Sequence, residues 1–140
     1  MADALIQAGA TAIVGTHAHV VQQWQFQTNP FQEKLPILYA TGNFVSGQVR
    51  FERRVGALAW LQLCQAPMNT DTGLAIHQKL ELAHLGWMPL LMQRTAKGPK
   101  LSPVVGDNLK AEFLSAQRLM AKYVPPTGLK FEKICKSTKE

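Results

Sequence analysis

Apolar residues along this chain repeat first at a helical period and then, over most of its length, at a strand period. Ala2, Leu5 and Ile6 share one side of a helical wheel, and Gly9 stands where such a helix would stop. Residues 3–9 therefore read as the end of an amphipathic helix. Residues 11–14 follow as a short, partly β-branched run closed by Gly15, the pattern of a buried strand. Further strands are expected at 20–26, with Trp24 and Phe26 as bulky positions, at 36–40, stopped by Gly42-Asn43, and at 55–63. A turn falls at 69–73. Residues 74–82 put Leu74, Ile76, Leu80 and Leu82 on one parity, and 86–92 read as another strand weakened by Pro89. Two prolines and two glycines make 95–108 a loop. Over 109–123, Leu109, Phe113, Ala116 and Met120 line one helix face with Lys and Arg opposite, and Pro125-Pro126 end it.

The pattern sets the fold class as α+β: strand-rich, with one N-terminal helix end and one late helix. A helix that feeds straight into a buried strand normally returns from an earlier parallel strand by a right-handed crossover. No such strand precedes it here, so the sequence reads like the later part of a larger domain.

Composition narrows the class. Hydrophobic residues are 46% and charged residues 17% of the 140, which excludes a disordered polyelectrolyte. No apolar run reaches the ~20 residues of a membrane-spanning helix, so no membrane span is expected in this chain. The opening residues carry Asp3 and no Lys or Arg, unlike the basic start of a signal peptide. Localisation is not set by these residues. The net charge of +6 is uneven: residues 1–96 hold six Lys/Arg against five Asp/Glu, and residues 97–140 hold nine against four. A basic C-terminal part suits a solvated tail over 124–140, or, as an alternative function, a non-catalytic polyanion-binding module. Two cysteines make no disulfide framework, and Cys64, within WLQLCQ, reads as a small buried hydrophobe.

Candidate chemistry concentrates in Gly15-Thr16-His17-Ala18-His19. Two histidines at i and i+2 on an extended backbone point to the same side, where both imidazoles can meet one metal ion or two neighbouring ions. Gly15 would let the chain turn tightly away from the strand end. A pair of loop histidines with no ligand has the same pattern. Asn43, after Gly42, could present its amide to a site or simply end a strand. Asp71, Glu81, His77 and His84 show no spacing that aims them at His17. Arg50, Arg53 and Arg54 form a cluster that suits either an anionic group or a solvated turn.

ADALIQAGATAIVGTHAHVVQ followed by LPILYATGNFVSGQ resembles the C-terminal half of the CapA family, proteins of bacterial capsule and poly-γ-glutamate biosynthesis with a calcineurin-like metallophosphatase fold. The family pattern is a Gly-x-His-Pro-His segment after a strand, then a strand leading into Leu-Gly-Asn-Phe. The likeness is dense over residues 3–48 and thins over 55–123. Ala18 replaces the usual Pro, and Ala40-Thr41 the usual Ser-Leu.

The resemblance implies a four-layer αββα metallophosphatase-like sandwich of which only the C-terminal part is present, as a lobe over residues 1–123. It implies that His17 and His19 are the last metal-ligand pair and that Gly42, Asn43 and Phe44 sit on the neighbouring strand end beside it; Gly15, Gly42 and Asn43 are the expected substrate or shell residues of the site. It implies a divalent metal (Mn, Zn or Fe) whose site is incomplete in this chain. The family's early Gly-Asp motif, its carboxylate-bearing Gly-Asn motif (distinct from Gly42-Asn43) and its Asn-Asn-His motif are absent from these residues. The expected partner is accordingly the missing N-terminal half of the domain, with an anionic polymer as a further candidate and no nucleic acid. Family members are metal-dependent hydrolases in fold, often membrane-anchored or exported. This chain alone, with two histidine ligands where a catalytic zinc normally takes three protein ligands, is expected to be inactive.

Overall fold

The computed structural model describes residues 1–30, 34–66, 79–105, 110–125 and 129–130. The expected turn at 69–73, the residues Leu74, Ile76, Asp71, His77, Leu109 and Pro126, and the tail from 131 lie outside them, as does the side chain of Glu81.

Helix α1 (Ala2–Gln7) ends as its sequence predicts. The Gly9 amide donates to the Ile6 carbonyl and the Ala10 amide to the Leu5 carbonyl, both at 3.0 Å, the paired bonds of a Schellman stop. Only Ile6 of the expected stripe is buried; Leu5 is 45% exposed. The strand expected at 11–14 shortens to β1 (Ile13–Val14). It is an edge strand, with Val14 half exposed, and not the buried strand its β-branched residues suggest.

Strands β2 (Trp24–Thr28) and β3 (Lys34–Leu38) complete the first sheet in the order β1-β3-β2. β1 runs parallel to β3 and β2 antiparallel to it. β3 is the spine: Leu35, Pro36, Ile37 and Leu38 are all buried. Both faces of this sheet are covered, which explains a continuous apolar run where a one-sided strand would alternate. Leu35 and Ile37 pack with Ile6 of α1 on one face, while Leu38 joins Val21 and Trp24 in the larger core on the other.

The second sheet is built on two long strands, β4 (Val55–Ala66) and β5 (Lys79–Thr95), paired antiparallel. The two separate strands expected at 74–82 and 86–92 are thus, over the described residues, one. The register slips at Gln62/Leu63, because Gln62 faces His84 and Leu63 faces Leu82, leaving Ala83 as a bulge. The bulge switches the buried parity from Leu82 to Leu85 and Leu91. Leu80, on the same side of the bulge and of the same parity as Leu82, is nevertheless 49% exposed, near the end of the described part of the strand. Pro89 is accommodated because its carbonyl, not an amide, makes the bond, accepting from Val104 at 2.8 Å.

Part of the expected loop 95–108 is strand β6 (Gly98–Pro103), which returns along β5 after a two-residue turn. Thr95 fixes that turn by donating its hydroxyl to the Gly98 carbonyl at 2.8 Å. Its prolines misdirect a loop reading: β6 is an edge strand, where Pro is tolerated.

Helix α2 (Ala111–Tyr123) buries Phe113, Ala116 and Met120, the face its periodicity predicts. These side chains share one core with Val55, Leu85 and Leu91 of the second sheet, Val104 just after β6, and Trp24 of the first sheet. Trp24 and Trp87 touch edge-to-face at 6.1 Å. The segment after the helix is not wholly a loose tail. Val124 is buried, the Pro125 carbonyl accepts from the Trp87 indole at 2.9 Å, and β7 (Leu129–Lys130) pairs with β5. Cys64 is half-buried and disulfide-bonded, so it is not the free apolar filler its surroundings suggest. No described helix is long and apolar enough to cross a membrane.

Candidate functional site

The site lies where the C-terminal ends of β1 and β3 meet the start of β4. Parallel pairing brings β1 and β3 to the same end, and ligands gather at such ends in open α/β sheets. Gly15 closes β1 by donating its amide to the Leu38 carbonyl at 2.7 Å. A Cβ at Gly15 would run into the Tyr39 carbonyl, so the close approach requires glycine.

Beyond it the chain does not continue extended. His17 has φ +84° and His19 φ +60°, both left-handed. The extended i, i+2 geometry expected of the pair is therefore not what the backbone adopts; both side chains are exposed, with ring centroids 6.4 Å apart. Each left-handed non-glycine residue stores of order 1–3 kcal/mol, and such strain clusters at functional sites.

Asn43 holds the second histidine. Its amide nitrogen donates to two carbonyls, of His19 at 3.2 Å and of Arg53 at 2.9 Å. That fixes which way the amide faces, so Oδ1 is the atom 2.8 Å from His19 Nδ1. An amide oxygen only accepts, hence Nδ1 carries the proton. In the neutral ring Nε2 then keeps its lone pair, the arrangement a metal-binding imidazole needs. Gly42 delivers Asn43 to this position. It sits at φ +76°, bridges Gly56 of β4, and has the Val55 carbonyl 2.7 Å from where a Cβ would be.

The ring separation constrains what the pair can bind. With zinc–nitrogen bonds of ~2.0–2.1 Å, two imidazoles on one tetrahedral ion have centroids ~5 Å apart. The observed 6.4 Å is wider than that by ~1 Å. Among the described residues no group of three or more His, Cys, Asp or Glu side chains converges here or elsewhere. His84 is far off in the second sheet, opposite Gln62 and Lys130.

The arginine cluster divides. Arg54 turns inward, to Glu112 of α2 at 2.7 Å and the Met92 carbonyl at 3.3 Å, and lies over the Phe51 ring. Arg50 and Arg53 stay exposed. The basic residues of the C-terminal part are distributed, with Lys97 and Lys100 on the β5–β6 hairpin and Arg118 and Lys122 on α2. The carbonyl of Arg53 is the functional group that sequence reasoning missed, and no residue-type signal marks a backbone acceptor.

Residues 1–48 match the family model of the bacterial capsule synthesis protein PGA_cap. The match contains Gly15, His17, His19, Gly42 and Asn43 and supports a part in bacterial capsule synthesis. No curated protein and no solved structure matches the chain.

Proposed function

We propose that this chain is a piece of a CapA-type, metallophosphatase-like protein of bacterial capsule or poly-γ-glutamate synthesis, and that His17 and His19 are two of the ligands of its divalent metal. The observation that carries the reading is the Asn43–His19 bond, which leaves Nε2 as the open nitrogen beside His17. The donor set fits zinc, manganese or iron in kind, since neutral imidazole serves all three, but not in number. When bound, such a metal polarises a phosphoryl or carbonyl oxygen and lowers the pKa of a bound water. The chain's own residues present and orient two nitrogens. The remaining ligands and the other layers of an αββα sandwich belong, on this reading, to the N-terminal half of the domain. Residues 1–140 alone are accordingly inactive on phosphoesters and on poly-γ-glutamate.

Calorimetric titration of the full chain with zinc tests the assignment. Weak binding is expected, lost in the His17→Ala/His19→Ala double variant and unchanged in His84→Ala. Asn43→Ala should weaken it about 10-fold or more, because the ring loses its orienting acceptor. Uptake should fall on acidification, as protons compete for the same lone pairs. Equal loss from His84→Ala overturns the reading.

A further inference from the structure

We propose that Arg53, assisted by Arg50, is an anion-recognising arm beside the histidine pair, built to take two oxygens of a carboxylate or phosphate group. The proposal rests on the reading of His17 and His19 as the reacting site and adds the charge of what is brought to it.

Three observations carry it. A single amide nitrogen, that of Asn43, bonds the backbone carbonyls of both His19 and Arg53. The short 3-10 turn Phe51–Arg53 is thereby fastened to the histidine loop at the Arg53 backbone carbonyl. Secondly, the three arginines are not equivalent. Glu112 neutralises Arg54, but among the described residues no carboxylate lies within ion-pair distance of Arg50 or Arg53. Arg53 is steadied by a neutral partner instead: its Nη1 donates to Gln48 Oε1 at 2.7 Å. That bond limits the freedom of the guanidinium and leaves its positive charge and its other donors available. A planar guanidinium in this state presents the fork that matches a carboxylate or phosphate edge. Thirdly, the segment between Asn43 and the turn is unusually apolar for an exposed one. Phe44, Val45 and Val49 are each about 60% exposed. They give a greasy margin against which the methylenes of an elongated anionic chain can lie while its charged ends meet the arginines.

The test is titration of the full, metal-free chain with inorganic phosphate and, separately, with glutarate, a small dicarboxylate. The tighter of the two identifies the source of the oxygens. Arg53→Gln is expected to weaken that anion about 10-fold, equivalent to ~1.4 kcal/mol. Arg53→Lys, which keeps the charge and loses the fork, should fall between. Arg118→Gln, on the exposed side of α2, controls for net charge and should change affinity less than about twofold. Arg53→Gln should leave the zinc titration unchanged, and the His17→Ala/His19→Ala variant should keep its Arg53-dependent anion binding. Absent zinc binding with intact anion binding would sink the metal assignment alone. Failure of both anions to bind, undiminished binding by Arg53→Gln, or an equal loss from Arg118→Gln overturns the anion arm.

Discussion

The strands of the first sheet have two, five and five residues, and those at the heart of the second have 12 and 17. In the first, a single buried strand, β3, is flanked by loops that hold left-handed histidines, a left-handed glycine and an asparagine with every polar atom engaged. In the second, long strands bury Val55, Leu85 and Leu91 against α2. Strain needs a rigid support, because a loop held in a sparsely populated conformation relaxes unless its surroundings over-determine it. The two regions divide that labour. The second sheet supplies depth of packing, and the Gly42–Gly56 bridge, with the Ala57 amide on the Thr41 carbonyl at 2.7 Å, passes its rigidity to the site.

The largest effect should come from the support. Leu91 is fully buried, and Leu91→Ala is expected to cost ~2–5 kcal/mol in denaturant unfolding, a large part of the ~5–15 kcal/mol a domain usually has. The comparison breaks if that truncation is tolerated within ~1 kcal/mol, for the second sheet would then not be the stabilising partner. Next comes the joint between the regions. Gly42→Ala must either clash with the Val55 carbonyl or abandon φ +76°, and should lose about 1–3 kcal/mol. Zinc affinity should fall in the same variant, since Asn43 is displaced. Loss of stability with unchanged zinc binding would show that Asn43 is not held through Gly42.

How much of this was legible depended on the kind of signal each region carries. Helix α2 could be read down to Phe113, Ala116 and Met120, because a helical period is a repeated constraint. The motif residues His17, His19 and Asn43 could be named, because residue type and spacing mark them. Their conformation could not. Nothing in Thr-His-Ala-His encodes two positive φ values; these arise from the turn that Gly15 and the Asn43 bonds impose. The bulge at Ala83 was equally hidden, since a one-residue slip makes two good alternating runs look like separate strands. Pro99 and Pro103 disguised an edge strand as a loop. The split of the arginines depended on Glu112, 58 residues away from Arg54, a long-range pairing that local pattern does not contain.

A smaller effect, opposite in sign, should come from relieving the strain. His17 is exposed, so His17→Gly removes little packing while making φ +84° inexpensive. Weighed against the greater entropy glycine loses on folding, the variant should gain about 0.5–1 kcal/mol, seen as a higher midpoint in denaturant. It should lose zinc binding at the same time. A variant more stable and less able to bind would sharpen the contrast between a region built for function and one built for stability. A drop in stability above ~1 kcal/mol would mean that the His17 side chain holds the loop together.

The smallest effect on stability concerns the edges, where the two regions again differ. β6 carries Pro99 and Pro103, which blunt its outer side, whereas β4 beyond Ala57 has no strand partner on its outer side among the described residues. Leu58 and Trp60 on β4 are 44% and 48% exposed, and Val14 on the two-residue edge β1 is 50% exposed. A long apolar edge is a better template for a second chain than a short one, so self-association should run chiefly through β4. Leu58→Lys and Val14→Lys should each shift stability by no more than ~0.5 kcal/mol, since both sites face solvent. In sedimentation at rising concentration, however, Leu58→Lys should reduce association markedly and Val14→Lys only slightly, because an edge lysine must be desolvated for another strand to pair there. The reverse order would place the sticky surface on the first sheet, beside the histidines.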